Sequence, residues 1–593
     1  MKRKIVNIIN FIRGVEPREP ELNLLEPVEH QIRLLKEYDL SGTFLLQYDA
    51  MQKKEFTNLL KKERSPKLEI GAWFEIVQPL VEKAGLVWRG REGYSWDWHG
   101  QVGFSVGYSP KEREKLADVF MEDFKTTFGE YPSSVGSWLI DAHTLSYLSD
   151  SYRISASCNC KDQWGTDGYT LWGGYYGQAY YPNRTNVFTP AHDVKSGIPV
   201  PVFRMLGSDP IYQYDAGLKK VDGFQTSQVQ PVITLEPVYP EGGGSPWWTR
   251  WYFREFLNEP CLSFGYTQVG QENSFGWQAM KDGLTYQFKH IAQKADQGEL
   301  SVETLSESGK WFKATYPVTP SSAMMALSDW KNENHKSIWY NSRYYRINFY
   351  WEGEKFWIRD LYRFHGNYKE RYLTKVCQNN EFTYDNLPVV DGNQWSQGTV
   401  RAGLYPEMLG DGLSEGLLEG VPVVTELDEE SLRISLELEQ GGQLQIDCYP
   451  TKLVVLLIEN KVDKADKVDK ADKVDKADKV DKTDKVDKAD KVDKADKVDK
   501  ADKVEKIEKA DEAEKIEKSE KAERADRRLT LKFLWSKDIE IPINTVEKSK
   551  LNYQYNGFAY SISTDEGTFE KTGESNEVMV CAEQNKIILN LND

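Results

Sequence analysis

Ser134-Val-Gly-Ser-Trp-Leu-Ile-Asp141-Ala-His143 decides the fold of this chain: an apolar run of strand character ends on a carboxylate, and a helical stretch at 144–151 follows at once. The same pattern recurs upstream and downstream. Strand-like runs at 5–12, 42–48, 68–76, 135–140, 154–160, 200–206, 232–235 and 261–267 alternate with helical stretches at 25–38, 52–61, 77–84 and 110–128. Alternation of this kind builds a parallel sheet with crossover helices, and seven or eight such units predict a barrel rather than an open sheet. In such a barrel the loops after the strands form the working face.

Beyond about residue 310 the texture changes to period-two segments such as Tyr345-Arg-Ile-Asn-Phe-Tyr and Leu432-Arg-Ile-Ser-Leu, the pattern of a β-sandwich. The expected domains are a barrel at 1–305, a sandwich at 306–460 and 528–593, and a charged low-complexity insertion at 461–527. The insertion repeats Lys-Val-Asp-Lys-Ala-Asp. An apolar residue at every third position drifts around a 3.6-residue helix, so no continuous buried stripe forms and a solvated excursion is expected. The strand-like runs on either side of it are expected to be partners within the sandwich.

The length, 593 residues, calls for two or three domains. A net charge of −17 argues against nucleic-acid or anionic-membrane partners, which call for a basic surface. Six cysteines in so long a chain do not make a disulfide framework, and no apolar run is long enough to span a bilayer. The opening Met1-Lys-Arg-Lys-Ile-Val-Asn is expected to be a first β-strand rather than an export signal, and the cytoplasm is the expected compartment. Self-association is left open.

Two strand-end carboxylates stand out. Asp141 ends the first run quoted, and Glu272 follows Cys261-Leu-Ser-Phe-Gly-Tyr-Thr-Gln-Val-Gly. Aromatic side chains make up 12 % of the chain, with 18 Trp and 32 Tyr, which suits both cores and sugar-stacking platforms. A pair of carboxyl groups flanking one bond is what glycoside hydrolysis requires. Glu75 and Glu236 are reserve acids or bases. Expected substrate contacts are Arg13, Asp49, Glu75, Trp138, His143, Asp162, Gln163, Trp164, Asp167, Trp172, Arg204, Glu236, Gln271 and Trp277. The loop at 160–176, rich in glycine and aromatics, reads either as a binding loop or as an aromatic cluster that pins itself in place. Burial of Glu272 against Trp277 or Phe275 would keep it protonated.

The competing chemistry is metal-dependent deacetylation, which needs an Asp and paired histidines. The seven histidines are scattered and no HxxxH occurs. His99 and His143 are the only loose pair to consider, so no metal and no cofactor are expected. A sugar-binding protein without turnover is the other alternative.

Gly136-Ser-Trp-Leu-Ile-Asp141 with Leu145-Ser-Tyr-Leu148 resembles the nucleophile strand of family 38 α-mannosidases. The wider plan resembles the group that joins family 38, family 57 and the polysaccharide deacetylases. That resemblance implies a (β/α)7 barrel, a retaining attack by Asp141, and an acid/base near the end of the last barrel strand. Glu272 stands in that place, where family 57 typically carries Asp. The first strand ends Asn10-Phe-Ile-Arg13, without the His-x-Asp zinc ligands of family 38. A metal-free mechanism like that of family 57 is therefore the implied one, acting on an oligosaccharide or glycoside.

Overall fold

The computed structural model describes residues 2–166, 168–213, 220–221, 224–225, 233–410, 413–438, 441–459 and 528–592. Asp167, Val232 and the 461–527 repeat, for which expectations are given above, lie outside the described residues.

Seven parallel strands follow one another round the barrel among the described residues, β1 (Lys4–Ile12), β2 (Gly42–Leu46), β3 (Leu68–Trp73), β4 (Ser134–Gly136), β5 (Ala156–Cys160), β6 (Val202–Met205) and β7 (Gly265–Val269), and Ser301–Glu303 pairs parallel with β1 outside that order. They lie in the order β7-β1-β2-β3-β4-β5-β6, each neighbour parallel. All of β1 is buried, as a strand covered on both faces must be. Between β6 and β7 side chains take over from the ladder. The Leu206 N–H donates to Gln268 Oε1 at 2.8 Å, and the Phe203 and Tyr266 rings lie 4.9 Å apart. The barrel is nearly closed.

Among the described residues the helices of six residues or more are α1 (Leu25–Glu37), α2 (Lys54–Glu63), α3 (Gln78–Lys83), α4 (Pro110–Phe128), α5 (Ala142–Tyr152), α6 (Pro246–Leu257), α7 (Trp277–Asp296) and α8 (Leu305–Thr315). Local chemistry sets their ends. In α4 a capping box joins Ser109 and Glu112, Pro110 occupies the first turn, and Gly129 at φ 89° stops the helix. The α8 helix packs back on the barrel: the Leu305 N–H donates to Thr43 Oγ1 at 2.9 Å and the Ser306 N–H to Glu69 Oε2 at 3.0 Å.

Three strand expectations shift. The run at 135–140 keeps only Ser134–Gly136 in the ladder, because Ser137–Ile140 leaves the sheet to deliver Asp141 as the N-cap of α5. The last barrel strand is Gly265–Val269, whereas Leu262 forms a bridge with Ser322 in the second half of the molecule. Thr234 makes a single antiparallel bridge to Ser208 and adds no eighth parallel strand.

The second half is two antiparallel sheets packed face to face. One starts with the meander Ser322–Ala326, His335–Asn341, Tyr345–Glu352, Lys355–Arg363, and the other with Pro422–Glu426, Leu432–Glu437, Gln443–Tyr449, Lys452–Ile458. Ile338, Ile347 and Leu531 from the first share one core with Ile434, Ile446 and Val455 from the second. The two strands flanking the insertion do not pair. Lys452–Ile458 lies between Gln443–Tyr449 and Lys586–Asn590 in one sheet, and Arg528–Leu534 between Gly403–Gly410 and Glu577–Cys581 in the other. Among the described residues no helix is long and apolar enough to cross a membrane.

Candidate functional site

Because β7, β1, β2 and β3 are neighbours, the residues just past their C-terminal ends converge. Arg13, one residue beyond β1, is the hub. Its Nη2 lies 3.2 Å from Glu272 Oε2 and 3.5 Å from Glu75 Oε1, and its Nε lies 3.4 Å from Glu75 Oε2. The two carboxylate oxygens that share Nη2 at these distances are no more than about 7 Å apart. Trp96 covers the guanidinium at 3.8 Å, a cation–π contact between two buried side chains. Gln47, at the end of β2, donates from Nε2 to Glu75 Oε2 at 3.2 Å, and Ser274 Oγ donates to Glu272 Oε1 at 2.6 Å. Asn273 ties the loops of β7 and β1 together, accepting from the Arg13 N–H and donating to the Arg13 and Leu24 carbonyls, all at 2.9 Å.

Arg13, Glu75 and Gln47 are fully enclosed, while Glu272 retains 5 % exposure. Glu16 adds a further carboxylate 3.9 Å from Arg13 Nη1. Burial opposes the charge of Glu16, but its paired contacts to Arg18 outweigh that and hold its carboxyl below the usual range. Asp49 behaves oppositely. Its Oδ1 accepts from the Gly14 and Ala50 N–H groups, its Oδ2 has no partner, and burial pushes its carboxyl up to about 6.

A second polar group lies past β4, β5 and β6. Asp162 is clamped between Arg204 Nη2 at 3.1 Å and Arg346 Nη1 at 2.6 Å, so it bridges the barrel and the meander strand Tyr345–Glu352. Lys161 is buried beside it, with Nζ unpartnered, and burial pushes its ammonium below the ordinary lysine range despite the nearby Cys160, Glu236 and Asp162. Glu236 accepts from Thr234 Oγ1 at 2.8 Å. Gln163 donates to Cys160 Sγ, leaving its Oε1 unpartnered, and both side-chain polar atoms of buried Gln271 are unpartnered too. Trp138 packs edge-on against Trp73 at 5.3 Å and near Phe11 at 5.4 Å, with its indole N–H unpartnered.

Several expected contacts are used elsewhere. Asp141 is completely enclosed and faces α4: its Oδ1 accepts from Arg113 Nη1 at 2.9 Å and from the Thr144 N–H at 3.0 Å, and its Oδ2 accepts from Ser105 Oγ and Thr144 Oγ1 at 2.6 Å each. Burial opposes its charge, yet Arg113 and these hydrogen bonds keep the carboxyl below its usual range. With both oxygens occupied by helix-capping and ion-pair partners, this side chain is built as a structural latch, and the nucleophile expectation for Asp141 does not fit its surroundings. His143, on α5, pairs with Glu114 of α4 at 3.0 Å, and His99 lies 3.5 Å from Asp97, so the loose histidine pair is not assembled. Trp277 stacks on His30 at 4.2 Å rather than shielding Glu272, and Phe275 is 38 % exposed. Among the described residues no three His, Cys, Asp or Glu side chains converge as a metal-binding set, and the cation among the carboxylates is Arg13.

The aromatic loop resolves in favour of pinning. Trp172 donates its indole N–H to Tyr362 and Asp391 at 3.0 and 3.1 Å, Tyr176 stacks on Trp339 at 3.9 Å, and Trp164 meets Trp172 edge-on at 5.7 Å. These rings join the barrel to the sandwich rather than lying open. Sequence reasoning missed Gln47, Trp96 and Lys161. Gln47 and Lys161 stand one residue past β2 and β5, the same strand-end signal that marked Glu75, whereas Trp96 arrives from a long loop that carries no such signal.

The sequence matches no family profile and no curated protein. Among solved structures, the chain is similar to a glycoside hydrolase/deacetylase-type protein from Parabacteroides distasonis, with 14 % identity, TM-score 0.46, and coverage of 65 % of this chain and 90 % of that one. It is also similar to a family 57 branching enzyme from Thermococcus kodakaraensis, with 11 % identity, TM-score 0.26, and coverage of 53 % and 71 %. A third is an α-amylase from Thermotoga maritima, with 11 % identity, TM-score 0.27, and coverage of 52 % and 74 %.

Proposed function

We propose that this chain is a carbohydrate-active hydrolase that cleaves a glycosidic bond at the C-terminal face of its barrel without a metal ion. One observation carries the reading: Arg13 gathers Glu75 and Glu272 at adjoining strand ends, and Asp49 is held next to it through the Gly14 N–H. Glu272, paired with Arg13 and the more accessible of the two, acts as nucleophile or base. The proton is carried by Asp49, whose Oδ1 accepts from the N–H of Gly14, next to Arg13, at 3.1 Å, whose Oδ2 has no partner, and whose carboxyl burial pushes up to about 6. These assignments move the attacking role from Asp141 to Glu272 and the acid role from Glu272 to Asp49.

The test is a panel of α- and β-linked aryl glycosides and natural oligosaccharides given to the EDTA-treated protein, with Glu272→Gln, Glu75→Gln and Asp49→Asn alongside. Turnover that survives chelation, falls by about a thousandfold in Glu272→Gln and Asp49→Asn, and declines above about pH 6 supports the assignment. Acetate release that requires added divalent metal favours a deacetylase. Full activity in Glu272→Gln refutes the pair.

A further inference from the structure

The barrel mouth is electrically lopsided. Past β7, β1, β2 and β3, carboxylates predominate: Glu16, Asp49, Glu75 and Glu272 surround Arg13, with Arg18 at the edge. Past β5 and β6 the balance reverses. Among the described residues Lys161, Arg204 and Arg346 stand with Asp162 and Glu236, while buried Asp209 is turned to the indole N–H groups of Trp248 and Trp330. Asp162 spends both oxygens on Arg204 and Arg346. What remains is donor-rich: Lys161 Nζ has no hydrogen-bond partner although the residue is only 4 % exposed, and Arg204, 2 % exposed, has Nε and Nη1 left beyond its bond to Asp162, with the Tyr180 hydroxyl beside it. Buried ammonium and guanidinium nitrogens left in this state are costly unless something anionic meets them. Phe188 covers one face of Arg204 at 4.8 Å, fixing the guanidinium.

Resting on the hydrolase reading above, we propose that the sugar bound at this mouth is acidic, its carboxylate or sulfate held by Lys161 and Arg204 while the scissile bond lies over Glu75 and Glu272. A neutral sugar bound at the mouth leaves these donors unpaired, which is the physical basis of rejection. An acidic sugar satisfies both the surplus charge and the unused donors.

The test is a glycan array of matched pairs, each uronate-containing chain beside its methyl ester and each sulfated chain beside its desulfated form, probed with the full-length protein and with Lys161→Gln. Acidic members bound about tenfold to hundredfold more tightly than their neutral partners, with the preference lost in Lys161→Gln, are the expected result. The uronate and sulfate pairs separate the two sources of charge. Equal binding of acidic and neutral members, no binding of any acidic member, or a preference intact in Lys161→Gln overturns the proposal. The wild-type array decides by itself if the variant does not fold. Acidic chains that bind but are never cleaved leave this proposal standing and sink the hydrolase reading, whereas neutral glycosides cleaved alike by both proteins do the reverse.

Discussion

Asp141→Asn separates a structural latch from a catalytic nucleophile. The amide preserves side-chain volume and the cap to the Thr144 N–H at 3.0 Å. It removes the charge opposite Arg113 Nη1 at 2.9 Å and replaces an acceptor with a donor toward Ser105 Oγ and Thr144 Oγ1. Arg113 and Asp141 are both fully enclosed, and although Arg113 keeps its bonds to the Ser105, Tyr108, Tyr372 and Lys375 carbonyls, its buried charge loses its counter-charge. Breaking a buried pair by removing one partner costs about 3–5 kcal/mol. The assay is urea denaturation followed by tryptophan fluorescence, compared at the first cooperative transition because a chain of this size is not two-state. Arg113→Met and the double variant complete the cycle, and the double variant should cost less than the two singles together by about 1–3 kcal/mol. Because the Asp141 carboxyl is held low in the folded protein, this stability is present above the unfolded value near pH 4 and disappears as pH falls below it. Turnover per folded molecule, on whatever glycoside the wild type cleaves, should stay within about tenfold of wild type, since the side chain has no free oxygen to attack with. An Asp141→Asn protein that unfolds at the wild-type urea concentration yet is inactive while folded would refute the latch and restore the nucleophile.

Two further outcomes follow from the same junction and its surroundings. Glu370 accepts from the Ala142 and Val187 N–H groups, and burial, then the Asp141 charge, push its carboxyl up to about 8. A carboxyl that binds its proton more tightly when folded contributes fully below the unfolded value of about 4.3, and that contribution is lost as pH rises toward 8. Urea midpoints of the wild type should therefore fall across this window, and those of Glu370→Gln should be flatter. Trp339→Ala removes the ring stacked on Tyr176 at 3.9 Å together with its hydrogen bond to the Pro210 carbonyl at 2.9 Å. The expected cost is about 3–5 kcal/mol, read as faster limited proteolysis within 160–176; unchanged cleavage would show that the loop is held by other contacts.

The barrel was legible because a parallel strand covered on both faces is a continuous apolar run, and β1, β2 and β5 are buried along their whole lengths. Strand-end position also singled out Arg13, Asp49, Glu75 and Glu272 before any coordinates. Side-chain direction was not legible. Asp141 and Glu272 follow equivalent apolar runs, yet one turns toward Arg113 of α4 and the other toward Arg13. Nothing in the local run at 134–141 encodes Ser105 or Arg113, which arrive from more than twenty residues upstream. The aromatic loop at 160–176 was ambiguous for the same reason, since Trp339 and Tyr362 lie far along the chain.

Composition and periodicity by themselves determined that the chain builds β/α units and then antiparallel sheets, because hydrophobic spacing follows the local backbone repeat. Only the tertiary structure decided which acids share a cation and which cap a helix, because the energy of a buried charge depends on partners that distant segments bring to it.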